Sequence, residues 1–236
     1  YDTCGPFPGA DDNAAALAIL FSLFEPLREA RLERPVVFAF FDAEEPPFYL
    51  TPEMGSVRFY MEQRREPIHC ALVMDLCGHD VPIAGFEDLL FVLGCESDPE
   101  LEQVLRACEP PPGIRVIPTL NRYVGDLSDH YVFRIHRRPY LFLSCGRWAH
   151  YHQWSDTTDK LNFAKMAIVA DYLTGLAIEV SQRPLQGPFE GRDPIETEVY
   201  FLHRTAGPIL QAFGFYPKTR EDLDLMVGVF LGQFGL

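Results

Sequence analysis

The 236-residue sequence has no long apolar run, no signal-like segment, no Cys-x-x-Cys pair, and only 20 Lys and Arg against 34 Asp and Glu. Each shortage excludes something. A membrane-spanning helix needs roughly 18 or more consecutive apolar residues, so no span is expected. A formal net charge of -14 leaves no basic face for phosphates, which argues against nucleic acid or anionic membrane as the main partner. Cys4, Cys70, Cys77, Cys95, Cys108 and Cys145 are scattered without a short disulfide framework. Free, mostly buried thiols are the expectation, and they favour a cytoplasmic protein. The chain opens at Tyr1 with no initiator Met, so a trimmed N-terminus is expected and secretion stays open. There is no internal repeat and no low-complexity tract. Ser144, in LFLSCG, lacks the G-x-S-x-G context of a serine hydrolase, and Cys145 has no context for a thiol nucleophile.

What is present is enough apolar sequence for a packed core, 47% of residues, at a length that suits one large α/β domain. The runs VVFAFF (36–41), CALVMDL (70–76), LLFVLG (89–94), IRVIP (114–118) and PYLFLS (139–144) read as strands covered on both faces. Helical patterns lie between them. One stripe, Leu17, Leu20, Phe21, Phe24 and Leu27, starts just after the N-cap types Asp12 and Asn13. Segments 53–65, 98–108 and 159–182 are also expected to be helical. Pro110–Gly113 reads as a loop, 182–194 as a turn-rich connector, and 195–236 as two amphipathic helices separated by FGFYPKT. The fold class is α/β: a three-layer sandwich around a mostly parallel mixed sheet.

Ligands of open α/β sheets gather beyond the carboxyl ends of the strands. Four polar stretches fall in such loops: GADDN (9–13), DAEE (42–45), VMDLCG (73–78) and YHQWSDTTDK (151–160). Each alone reads as an acidic turn, a cap or a surface loop. Together they bring Asp, Glu and His, which are donors that zinc accepts. Side chains of consecutive extended residues diverge, so one of two adjacent acids can bind a metal while its neighbour faces the attacking water as a proton carrier.

The sequence resembles the zinc aminopeptidases and their relatives the glutaminyl cyclases, metallopeptidase family 28. The matching residues are YDT (1–3), PGADDNAAA (8–16), FFDAEE (40–45), MGS (54–56), VMDL (73–76), SDH (128–130) and YHQWSDTTDKL (151–161). They keep the family's order over about residues 1 to 180. The resemblance implies a zinc-exopeptidase fold of the phosphorylase/hydrolase-like type. It implies Asp12 as a metal-bridging carboxylate, Glu45 and His152 as ligands of one zinc, Asp75 as a ligand of a second, and Glu44 as general acid/base. Asp129 matches an outer acid of the hydrogen-bond network, and Asp2 the acid that orients the first ligand histidine. That histidine would sit immediately before Tyr1, with the strand leading to it, so a one-zinc site is the safer expectation for this chain. The implied organisation is a zinc peptidase catalytic domain over 1–182, short of its N-terminal part. A connector and helical extension over 183–236 would pack on the same domain.

His150 is expected to be a loop histidine, and His69, His79, His130, His136 and His203 structural or exposed. Trp148, Tyr151 and Trp154 are candidate walls of a substrate pocket, with loop packing as the plainer alternative. The leading expectation for function is a zinc-dependent exopeptidase of aminopeptidase type, acting on peptides with a free N-terminus, which an acidic site would hold. SDH and YH look more like the peptidases than the cyclases. A glutaminyl cyclase stays open because PPFYLTPEM, between Glu45 and Gly55, is longer than resembling aminopeptidases usually carry. A non-catalytic homologue acting as a binding domain is the third reading. Side-chain preference and oligomeric state are not legible.

Overall fold

A computed structural model describes residues 3–62, 67–187, 192–212 and 214–234, with side chains of the last stretch described to 228. Four short apolar runs become strands: β1 (Ala71–Met74), β2 (Leu89–Leu93), β3 (Arg115–Thr119) and β4 (Tyr140–Ser144). They form one sheet in the order β1-β4-β2-β3. β1 pairs with β4 in parallel, β2 with β3 in parallel, and β2 with β4 antiparallel. The register sets Ala71 beside Tyr140 and Phe91 beside Ser144.

Eight helices surround the sheet among the described residues: α1 (Ala15–Ser22), α2 (Phe24–Glu29), α3 (Gly55–Glu62), α4 (Pro99–Ala107), α5 (His130–Ile135), α6 (Phe163–Gln182), α7 (Ile195–Ala212) and α8 (Arg220–Phe234). The main core joins Ile19, Leu90, Val92, Leu101, Leu141 and Leu173, so α1, α4 and α6 cover one face. On the other, Val132 and Phe133 of α5 pack on Ala71 and Phe142, with Val57 and Tyr60 of α3 beside them. This is the expected three-layer arrangement. α4 starts where its sequence says it should: the Asp98 carboxylate accepts from the Glu100 amide at 2.9 Å, with Pro99 at the first helical position. α7 runs along the edge strand β3, where the Thr205 hydroxyl donates to the Val116 carbonyl at 3.2 Å. A satellite core of Leu202, Ala206, Leu210 and Leu223 ties α8 to it. No helix among the described residues is long and apolar enough to cross a membrane.

Two expectations need correction. VVFAFF is not a strand: residues 36–41 carry no strand pairing. A strand needs a neighbour to take its amides and carbonyls, and here a cleft of about 910 Å³ separates this segment from residues 67–75 and the outer edge of β1. The second concerns the α1–α2 stripe. The buried residues are Ala15, Ala16, Ile19, Leu23 and Leu27. Phe21 and Phe24 are 59% and 40% exposed, and Phe21 stacks on Phe40 at 5.1 Å. Ala15, Ile19, Leu23 and Leu27 follow one another at every fourth position, so the core face of α1 and α2 runs along that line and leaves Phe21 and Phe24 beside it. The expected helix over 53–65 is described only to Glu62, and part of the 182–194 connector lies outside the described residues.

Candidate metal centre

The four polar loops meet. Asp12 sits in the helical turn Ala10–Ala14, but with non-helical backbone, φ -108 and ψ 83. Its amide and that of Asp11 donate to the two carboxylate oxygens of Asp156, at 3.1 and 2.9 Å. Asp11 faces the other way. It accepts from the Gly78 amide at 2.6 Å and pairs with His79 Nδ1 at 2.6 Å, fully buried. Gly78 permits that approach, because a Cβ there would stand 2.7 Å from Asp11 Oδ1 and from Ala15 Cβ. Asn13 donates to the Met74 carbonyl at 3.1 Å, which ties the same turn to the end of β1.

Asp75 is the residue after β1, and its amide extends the pairing to Leu143 at 3.1 Å. Ser128 donates a hydrogen bond to its carboxyl group, while the buried Oδ1 has no hydrogen-bond partner among the described residues. Glu44 and Glu45 follow 36–41 through Ala43, which takes a left-handed φ of 54°. Leu76 (52°) and His152 (54°) do the same. Non-glycine residues pay about 1–3 kcal/mol for such backbone, and here three of them are at or beside proposed site residues. Asp42 turns outward. Its carbonyl accepts from the Gly55 amide at 3.0 Å, so it fixes the start of α3.

His152 Nε2 lies 2.8 Å from Glu45 Oε1 and 3.0 Å from Asp12 Oδ2. The Tyr151 ring stacks on that imidazole at 3.7 Å, and Arg147 lies over Tyr151 at 5.2 Å. Asp129, which precedes α5, lines the same cleft as Asp12, Glu44 and Asp75. The structure therefore brings Asp12, Glu44, Glu45, Asp75, Asp129 and His152 together. Asp2 lies outside the described residues. Trp148 stacks on buried His79 at 4.4 Å, and Trp154 is 65% exposed with its edge against Phe7. Of the three aromatic candidates, Tyr151 is the one in ring contact with a proposed ligand.

Crowded acids need neutralising charge. Burial first, then Asp75, Glu45, Asp156 and Asp11, raises the Asp12 carboxyl. Burial also raises Asp75, with Asp129, Asp11 and Glu45 adding to it against the Ser128 hydrogen bond. Glu44 is pushed up to about 10 by burial, then by Asp75, Asp129, Glu45 and Asp12. Without a cation, burial and mutual repulsion favour the protonated form of each of these groups. A divalent metal supplies the missing charge, and a His with hard carboxylate oxygens is a donor set that zinc accepts, so the residues fit the ion. His130, by contrast, is structural. It stacks on Phe142 at 4.2 Å, bonds the Gly125 carbonyl at 3.1 Å, and is held down to about 4 by burial.

Sequence reasoning missed Asp156, Asp11, His79 and Ser128 as supports. Asp156 was visible inside YHQWSDTTDKL (151–161), but its role depends on a contact across 144 residues. Cys4 was missed as well. A sulfur, a carboxylate oxygen and an imidazole nitrogen from Cys4, Glu45 and His152 all lie within 4.8 Å of one another.

The model of peptidase family M28 matches residues 1–177. The protein YfbL of Escherichia coli K12 is 28% identical over 186 residues, covering 70% of this chain and 57% of YfbL. Among solved structures, a zinc aminopeptidase from Bacillus subtilis superposes with a TM-score of 0.62 at 18% identity, over 81% of this chain and 46% of that one. A glutaminyl cyclase from Fimbriiglobus ruber does so with a TM-score of 0.56 at 23% identity, over 75% and 63%. The chain thus spans little more than half the length of its curated relative and has the fold of these enzymes.

Proposed function

The chain belongs to peptidase family M28, and from that premise we propose that it is a zinc-dependent exopeptidase of the aminopeptidase type. The observation that carries this is the pair Glu44–Glu45. Glu45 bonds His152 at 2.8 Å, whereas Glu44 lines the cleft and is surrounded by other acids. Asp12, Glu45 and His152 would hold one ion, and Asp75 would add a donor for a second. When bound, zinc supplies Lewis-acid polarisation of a carbonyl and acidifies water.

The chain's own residues do the rest. A carboxylate oxygen of Glu44 takes a proton from the attacking water as the water oxygen bonds to the scissile carbon. As the C–N bond breaks, Glu44 gives that proton to the leaving nitrogen. Acids around the cleft favour the cationic amine of a peptide N-terminus. Ser128, through its hydrogen bond to Asp75, and Tyr151, through its stack on His152, hold two of the donors in place.

The test uses zinc-loaded protein with three peptides: one with a free N-terminus, the same peptide acetylated, and one beginning with Gln. Release of an intact N-terminal amino acid from the free peptide alone supports the proposal. Glu44→Gln should keep its zinc and lose about 10²–10⁴-fold in rate; unchanged activity would refute the role of Glu44. The second reading is a glutaminyl cyclase. It is favoured by a donor set that closes around one ion and by the 46–54 insertion, where the Tyr49 hydroxyl donates to the Asp126 carbonyl and fixes the insertion to the loop before Asp129. Ammonia release from the Gln peptide would select it. A chain that binds no zinc at all would instead support a binding domain.

A further inference from the structure

We infer that Cys4 is a ligand of the metal held by Glu45 and His152, so that this chain carries a mixed Cys–Glu–His–Asp site. The inference rests on the zinc-binding reading above and goes beyond the donors expected of the chain. The geometry is a three-donor cluster: Cys4 Sγ, a Glu45 oxygen and a His152 nitrogen within 4.8 Å of one another. Asp12 Oδ2 lies 3.0 Å from His152 Nε2, beside this three-donor cluster, and is the fourth donor the inference assigns. In a tetrahedral zinc site with bonds of about 2.0 Å to N or O and about 2.3 Å to S, donors are roughly 3.3–3.5 Å apart. The His152–Glu45 and His152–Asp12 separations, 2.8 and 3.0 Å, are therefore close to those of a metal site. The sulfur must approach by no more than about 1.3 Å to complete it.

On binding, the S–H proton leaves for solvent as sulfur bonds the cation, and the thiolate then offsets part of the ion's charge. The soft sulfur also shifts the preference of the site toward zinc over magnesium or calcium. A fourth protein donor fills the position that a catalytic zinc keeps open. The thiolate would thus define a resting state of the site and give way when substrate enters.

The experiment loads the full 236-residue chain with cobalt(II) and records its absorption beside that of Cys4→Ser. Separately, metal-free and zinc-loaded protein are treated with iodoacetamide, and alkylation at each cysteine is read by peptide mass mapping. Half-buried Cys70 is the internal control. The expected result is a thiolate-to-cobalt charge-transfer band that Cys4→Ser lacks, zinc protection of Cys4 but not Cys70, and a drop in zinc affinity. That drop should be at least the roughly tenfold that losing an outer partner costs. Cobalt bound with d–d bands but no charge transfer, and with Cys4 alkylated equally in both states, overturns the inference and leaves the zinc reading standing. No metal uptake by the unaltered chain overturns both. The alkylation arm needs no variant, so a folding defect in Cys4→Ser could not obscure the answer.

Discussion

Replacing Asp156 with Asn should cost more than its position outside the reacting groups suggests. The side chain is buried, and its two oxygens accept from the backbone amides of Asp11 and Asp12 at 2.9 and 3.1 Å. Asn keeps the shape but turns one acceptor into an NH₂ group facing an N–H. One hydrogen bond to a charged acceptor is lost, worth about 1.5–3 kcal/mol, and a buried amide is left with a penalty of about 1–3 kcal/mol. One effect opposes these. Asp156 is among the acids that raise Asp12, so removing its charge relieves repulsion, yet it ranks behind burial, Asp75 and Glu45. A net loss of about 2–4 kcal/mol follows, which for a chain of this size lowers the melting temperature by roughly 5–15 °C. Zinc affinity should fall by about 10–100-fold, as it does when an outer partner of a ligand is removed. Calorimetry on the chelator-treated protein reads the first quantity, and competition with a chromogenic zinc chelator reads the second. Asp159→Asn is the control: Asp159 is an exposed acid of the same segment that pairs with Lys160 at 2.7 Å, and its loss should change neither. If Asp156→Asn melts and binds zinc like the unaltered protein, the proposed coupling between the Asp12 and His152 loops is wrong.

Raised carboxyls also set a pH dependence. With native pKa values above the unfolded ones, the metal-free protein binds more protons folded than unfolded. This contribution is therefore intact below the ordinary carboxylate range and lost as pH rises through the native values, for Glu44 from 4.5 toward about 10. Chelated protein should melt lower at about pH 9 than at about pH 6, while zinc, which displaces protons, should stabilise more at the higher pH; melting curves with and without zinc at both values decide it. Gly78→Ala places a methyl 2.7 Å from Asp11 Oδ1 and 2.9 Å from Leu161. Overpacking of about 1–3 kcal/mol should appear in urea unfolding midpoints. Amides of residues 36–41, which have no strand pairing, should exchange with deuterium far faster than those of β4; equal protection by mass spectrometry would restore the strand.

The four paired strands were legible because each is an apolar run bounded by turn residues, and the site was legible because acids and a histidine cluster just beyond such runs. Residues 36–41 have the same composition as the true strands. What decided against them was the cleft beside β1, and a partner's position is not a property of a strand's own sequence. Phe21 and Phe24 misled for a related reason. Ala15, Ile19, Leu23 and Leu27 recur at every fourth residue and took the core, and no local signal ranks that line above the neighbouring one through Leu17, Leu20, Phe21 and Phe24. The first-line donors each follow a recognisable local pattern. Asp156, Ser128 and Cys4 do not, because each acts through contacts that exist only once distant loops have met.

That division has a physical consequence for how the metal site is built. The proposed donors Asp12, Asp75 and Glu45 come from loops whose backbones are held by other residues: Asp12 by Asp156 and Asn13, Asp75 by Leu143 and Ser128, and Glu45 by the turn that follows Ala43. Acids pushed together without such supports would separate, since repulsion favours an open loop over a crowded one. The bonds of Asn13 and Ser128 are neutral, and Asp156, itself an acid, turns both oxygens to backbone amides, so these supports hold the loops without neutralising the acids themselves. Protons can do that in the metal-free state, at the cost of the charge that attracts an ion. Zinc would do it while leaving Glu44 ionised, and in the mechanism proposed above only an ionised Glu44 accepts a proton from the attacking water. On the proposed reading, the supports therefore determine whether the acids assemble, and the ion would determine whether Glu44 can work as a base.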